Sequence, residues 1–293
     1  MSEQALTGVR ILDFSQVLAG PFATQLMAQL GAQVIKVEQP VGGDMTRGLM
    51  SASSDGMAPS FLAANLGKRS LTLDLKNPKA KEIVHKLVAE ADVLVENFKP
   101  GTIERLGFGF EAMKAIKPDL VYASISGFGQ TGPRANLPAF DGAIQAYSGM
   151  MSISGHAVTG PVRSGYFSVD MSTALNAAFA ITAALLRRTN TGEGQRVDVS
   201  MLDTAMFMQS PQMTGYLVTG KAPELNGNAS PTKQPTSNVF ASSNGYVQVI
   251  AMKETQVQAL FTELGMPERY AEFNEPTVRS ARRDEVHGLI APM

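Results

Sequence analysis

The sequence predicts an α/β protein built on a mostly parallel, doubly wound sheet flanked by helices, followed by a second, smaller domain. Three observations predict it. Strand-like segments alternate with helical ones up to about residue 205, the pattern of parallel strands joined by crossover helices. The first forty residues already form one such unit, strand, helix and strand. Beyond Leu202 the texture changes to a Met-rich helical run and then a polar, Pro-containing stretch, which reads as a linker.

The opening unit comprises Val9–Phe14, a short loop, a helix from about Pro21 to Leu30, and Gln33–Glu38. Pro21 suits a first helical turn, Phe22, Leu26, Met27 and Leu30 share one face, and Gly31 can end the helix. Further strands are expected at Leu71–Leu75, Asp92–Asn97, Leu120–Ser126 and Arg196–Met201, with helices at Lys79–Ala89 and Met171–Arg188. Asn190–Gln195 reads as a helix-to-strand turn. A helical segment over Leu202–Val218 leads to the linker, and the domains are expected to divide as 1–224 and 225–293. The second opens with a hairpin through Asn244-Gly245, a pair that favours type I′ turns, and continues with a helix at about Thr255–Leu264. It reads as incomplete.

At 293 residues, 44% hydrophobic and 17% charged, the chain is globular in composition. Twenty-five Lys plus Arg against 26 Asp plus Glu give a formal charge of −1, so nothing global points to nucleic acid or an anionic membrane surface. The absence of Cys excludes disulfides, thiol nucleophiles and Cys-ligated metal, and three scattered His residues show no metal-ligand spacing. The N-terminus lacks secretory-signal character and the longest apolar run, Ala177–Leu186, is shorter than a bilayer span, so a soluble, cytoplasmic protein is expected.

Gly127-Phe-Gly-Gln-Thr-Gly132 follows a predicted strand and fits a dinucleotide-binding pattern, but Pro133 stands where the helix that receives the pyrophosphate should begin. Asp170 precedes the long apolar helix. There it can cap free N–H groups, and the positive helix start can hold it ionised as a nucleophile, two compatible roles. The Gly-rich Gly160–Ser168 stretch offers backbone donors for an oxyanion or simply a turn. Lys68, Arg69, Lys76, Lys99, Arg105 and Arg134 are each expected as solvated surface charges unless several converge on phosphates. With no Cys and no His cluster, carboxylate chemistry is the remaining catalytic option.

Five blocks in order, Leu6–Arg47, Asn65–Lys76, Ala91–Glu111, Tyr122–Pro133 and Ser168–Ala174 onward to Thr191–Asp203, resemble the family III CoA transferases, the CaiB/BaiF family. The resemblance implies a Rossmann-like large domain, a smaller domain, and two ring-shaped protomers interlocked as a homodimer. It implies coenzyme A or an acyl-CoA as substrate rather than a permanently bound cofactor, and a small carboxylic acid as second substrate. It places the nucleophile on Asp170 and CoA contacts on Val17, Ala19, Leu73, Lys76, Asn97, Phe98, Arg105 and Met201.

Departures from the family narrow the substrate. Leu18, Pro138 and Phe140 stand where the formyl-CoA:oxalate branch carries Gln, Lys and Tyr, which disfavours oxalate. Phe140 also aligns with the His that serves as a base in the related α-methylacyl-CoA racemases, and a phenyl ring cannot accept a proton. The rival readings are an acyl-CoA racemase or isomerase, and a shortened, non-catalytic CoA-binding protein.

Overall fold

The computed structural model describes residues 4–49 and 57–291. They divide into two compact units, one running to Met150 and resuming over Ser164–Gly220, the other made of Met151–Arg163 and the residues from Lys221 onward.

In chain order the strands are β1 (Arg10–Asp13), β2 (Gln33–Glu38), β3 (Arg69–Thr72), β4 (Val93–Glu96), β5 (Val121–Ser126), β6 (Gly155–His156), β7 (Gly160–Pro161), β8 (Gln195–Ser200), β9 (Ser237–Ser242) and β10 (Gly245–Ile250). The helices are α1 (Ala19–Gln29), α2 (Pro59–Asn65), α3 (Pro78–Glu90), α4 (Thr102–Arg105), α5 (Phe110–Ile116), α6 (Asp141–Tyr147), α7 (Met150–Ile153), α8 (Ser168–Thr191), α9 (Met201–Met208), α10 (Ser210–Thr219), α11 (Glu254–Glu263), α12 (Pro276–Ala281) and α13 (Arg283–Ile290).

The first unit is a six-stranded sheet of order β3-β2-β1-β4-β5-β8, every neighbouring pair parallel. Alternation along a strand sends Ile11, Val93, Val95, Val121 and Ala123 into a core shared with α1 and α8. Their neighbours Leu12, Leu94 and Tyr122 enter a second core with Val84, Val88, Ile103, Phe108 and Met113. Helices on both faces explain why β4 and β5 are buried throughout. The chain runs outward from β1 on one side and from β4 on the other. The C-terminal ends of β1 and β4 therefore flank a topological switch point, the crevice where such sheets hold ligands.

Helix α8 buries Val169, Thr173, Ala174, Ala177, Ile181, Ala184 and Leu185 as one stripe. Its 24 residues are long and apolar enough, by length and composition alone, to cross a membrane. Here that stripe packs into the sheet core.

The second unit pairs β9 with β10 and packs Phe240, Val257, Phe261, Phe273, Val286 and Ile290 into its own core. Residues 151–163 join it, although sequence places them in the large domain. The Gly227 N–H donates to the Gly155 carbonyl at 2.7 Å.

Four local expectations are corrected. β3 lies two to three residues early because the Asp74 carboxylate accepts the Lys76 N–H and Asn77 caps α3, turning the chain where a strand is expected. The single helix over Leu202–Val218 is two, α9 and α10, broken at Gln209 ahead of Pro211. The β9–β10 turn is Ser243-Asn244, one residue early, and neither residue has positive φ, so it is not type I′. That register puts Phe240 inside the core. Finally α8 begins at Ser168, so Asp170 sits in its first turn and is not its cap.

Candidate functional site

At the end of β1 the chain turns sharply into α1, and buried charge holds the turn. β1 and β2 register Asp13 beside Lys36 on the same face. Asp13 accepts from Lys68 Nζ at 2.9 Å, from the Thr24 hydroxyl at 2.6 Å, and from the Ser15 N–H and hydroxyl. Burial alone would raise its pKa, but Lys68, Lys36 and these hydrogen bonds outweigh it and hold the carboxyl at about 2. Burial draws Lys68 down to about 8 against the opposing pull of Asp13. The pair is ionised at neutral pH. Lys68 is thus a buried structural cation and not the surface charge expected from sequence.

The turn after β4 is tied to the turn after β1. Asn97 donates to the Gln16 carbonyl at 2.7 Å and accepts the Gln16 N–H at 2.8 Å. The Glu96 carboxylate accepts the Phe98 N–H at 2.9 Å.

Between these turns and the end of β5 lies a cleft of about 290 Å³. Residues 17–19, 97–100 and 125–127 form one wall, while 135, 137–140, Asp170 and Met201 complete it. Gly127 makes that arrangement possible. A Cβ there would lie 2.1 Å from the Ala139 Cβ, so only glycine lets the 137–140 segment fold over the strand end. Most of the lining is apolar, and Lys99 and Asp170 are its charged members.

The Asp170 side chain is half-buried at the start of α8. The cap that sequence assigns to it belongs instead to Asp141, whose Oδ2 accepts the Val169 N–H at 2.8 Å and the Asp170 N–H at 3.0 Å. Gln145 Nε2 donates to the other Asp141 oxygen at 2.5 Å and to Ser164 Oγ at 2.9 Å. Among the described residues no cation pairs with Asp170. Burial, and secondly the Asp141 charge, push its carboxyl up to about 7. This runs against the expectation that the helix start holds Asp170 ionised. A desolvated carboxylate without hydrogen-bond donors is a better nucleophile than a solvated one.

Of the expected CoA contacts, Val17, Ala19, Asn97, Phe98 and Met201 line this cleft together with Asp170. Leu73, Lys76 and Arg105 do not. The Leu73 side chain is buried in the core, Lys76 is exposed, and Arg105 is exposed and bonded to Thr102 Oγ1 at 2.9 Å. Arg134 lies over the Tyr147 ring at 5.1 Å. The Gly160–Ser168 stretch contributes nothing to the cleft lining; part of it is the short β6–β7 hairpin. After Gly132 no helix follows until Asp141, which removes the dinucleotide reading. Sequence reasoning missed Ile125, Ser126, Leu137 and Asp141. The position of the first two at the end of a central parallel strand was an available signal.

Comparison with known proteins identifies the family. Residues 6–293 match the model of CoA-transferase family III. The chain is 37% identical to the succinate–glutarate CoA-transferase of Agrobacterium fabrum, over 98% of this chain and 73% of that protein. It is 40% identical to the acetyl-CoA:oxalate CoA-transferase of Acetobacter aceti, over 97% of this chain and 73% of the other. A crystal structure of a CaiB/BaiF family protein from Brucella suis superposes with a TM-score of 0.90 at 37% identity, covering 99% of this chain and 78% of that one.

Proposed function

The chain belongs to CoA-transferase family III, and from that premise we propose that it moves CoA from an acyl-CoA donor to a small carboxylic acid through covalent intermediates on Asp170. The observation that carries the proposal is the Asp170 side chain, desolvated, paired with no cation among the described residues and lining the cleft at the sheet's switch point.

The Asp170 carboxylate attacks the thioester carbonyl, the C–S bond breaks, and an aspartyl–acyl anhydride forms with CoA thiolate as leaving group. The thiolate attacks the aspartyl carbonyl, releasing the donor acid and leaving an aspartyl-CoA thioester. The acceptor carboxylate displaces the thiolate to form a second anhydride. Thiolate attack on the acceptor's carbonyl then yields the new acyl-CoA and regenerates Asp170. Val17, Ala19, Asn97, Phe98 and Met201 would hold the CoA body, and with it the reacting carbonyl, in place. Lys76 and Arg105, outside the cleft, remain contacts by resemblance only. The homodimer also rests on the resemblance, and the exposed apolar side chains of α8, Leu175, Phe179 and Leu186, are surface a second copy would cover.

Named relatives use succinate, glutarate and oxalate, so a panel of acids is the right test. Mixed with acyl-CoAs and that panel, the protein should form new acyl-CoAs and, after hydroxylamine, a hydroxamate at Asp170 detectable by mass spectrometry. Asp170→Ala should give neither. Undiminished exchange in Asp170→Ala refutes the assignment. Deuterium entering the α-carbon in heavy water without an acceptor acid would favour the racemase reading instead.

A further inference from the structure

We infer that Asp44 is a positioning residue for acyl-CoA binding, holding the Ser15–Val17 turn in the one backbone conformation that presents Val17 to the cleft. The inference rests on the transferase reading of that cleft.

Val17 has φ +68, one of two non-glycine residues with positive φ among those described. A β-branched side chain is strained in that region, and such strain persists only where the surroundings over-determine it. They do so here. Lys36 Nζ donates to the Ser15 carbonyl at 2.6 Å, Asn97 takes both polar groups of Gln16, and Asp44 Oδ1 accepts the Val17 N–H at 3.3 Å.

Asp44 is itself fixed from several sides. Its Oδ2 lies 2.9 Å from Lys36 Nζ, with both side chains essentially inaccessible to water. Its Oδ1 accepts the Thr46 N–H and hydroxyl at 2.9 and 2.8 Å, and its own N–H donates to Glu38 Oε2 at 2.9 Å. Lys36 thus links the two anchors, Ser15 and Asp44. A turn needed only to join β1 to α1 would place glycine at the positive φ. Glycine would have no side chain to present there, and Val17 lines the cleft.

The test compares the wild-type chain with Asp44→Ala, which removes acceptor and charge, and Asp44→Asn, which keeps an oxygen for Val17. In Asp44→Ala the Val17 amide should exchange faster, and the acyl-CoA KM and the calorimetric Kd for CoA should rise about tenfold while kcat stays within about threefold. Asp44→Asn should recover most of that loss. Because losing the partner of Lys36 threatens folding, Val17→Gly carries the test independently. It should raise KM while leaving the melting temperature unchanged or higher, since glycine relieves the strain. Val17→Ala, which trims the side chain without freeing the backbone, should raise KM less. Faster Val17 exchange with unchanged KM and Kd overturns the inference, as does a fall in kcat at constant KM. Wild-type protein that neither binds CoA nor transfers it overturns the transferase reading and this inference together, whereas wild-type turnover with unaltered Asp44→Ala kinetics overturns this inference alone.

Discussion

Two aspartates stand at element ends of the same unit, and their surroundings give them opposite chemistry. Asp13, at the end of β1, is fully buried but faces Lys68 and Lys36 and accepts hydrogen bonds from Ser15 and Thr24, so its carboxyl falls to about 2. Asp170, in the first turn of α8, is less buried, has no cation paired with it among the described residues, and faces Asp141, so its carboxyl rises to about 7. Burial pushes both upward. What separates them is whether the fold supplies the opposite charge.

The largest expected effect breaks the compensated side. Lys68→Met leaves Asp13 with one cation fewer in a site that excludes water, and should lower unfolding free energy at pH 7 by about 3 kcal/mol in urea titrations. A loss under about 1 kcal/mol would show that the Lys68 pair matters little and that Lys36 alone suffices.

Asp170→Asn should move stability the other way. A raised folded pKa means that ionising Asp170 costs more in the folded than in the unfolded chain. Its contribution is harmless near pH 4 and becomes a penalty as pH rises through about 7. The Asn variant should therefore match wild type near pH 4 and exceed it at pH 8 by about 1–2 kcal/mol, while losing transfer activity. Asp13 behaves oppositely: its stabilisation is present above the unfolded value near 4 and fades as pH falls toward 2. Asp170→Asn that destabilises at pH 8 would contradict the comparison.

Much of this sheet is legible in the sequence, because period and punctuation are local. Val9–Phe14, the Pro21–Leu30 helix and Gln33–Glu38 announce β1, α1 and β2 within a few residues of their observed limits. The failures arise where distant residues decide. Lys68 looks like any loop lysine until β3 is set beside β2 and Asp13 lies 2.9 Å away, across 55 positions of sequence. Asp141 is an ordinary acidic residue until the chain returns 28 positions later and offers it the Val169 N–H. The resemblance brought Asp170 and five cleft residues together, but not the sign of the Asp170 pKa shift, which depends on burial and on the Asp141 charge brought beside it.

The smallest effect tests the second cause of that shift. Asp141→Asn keeps an oxygen able to accept the Val169 and Asp170 N–H groups, so the start of α8 should hold, although Gln145 must turn its amide to avoid opposing the new NH2. What disappears is the negative charge facing Asp170. Burial, the larger cause, remains. The acid limb of kcat/KM, which reports free-enzyme ionisation, should therefore move to lower pH by less than about one unit while staying well above 4. A limb that stays put assigns the whole shift to burial. One that moves up means that Asp141 serves Asp170 by fixing its backbone rather than through its charge.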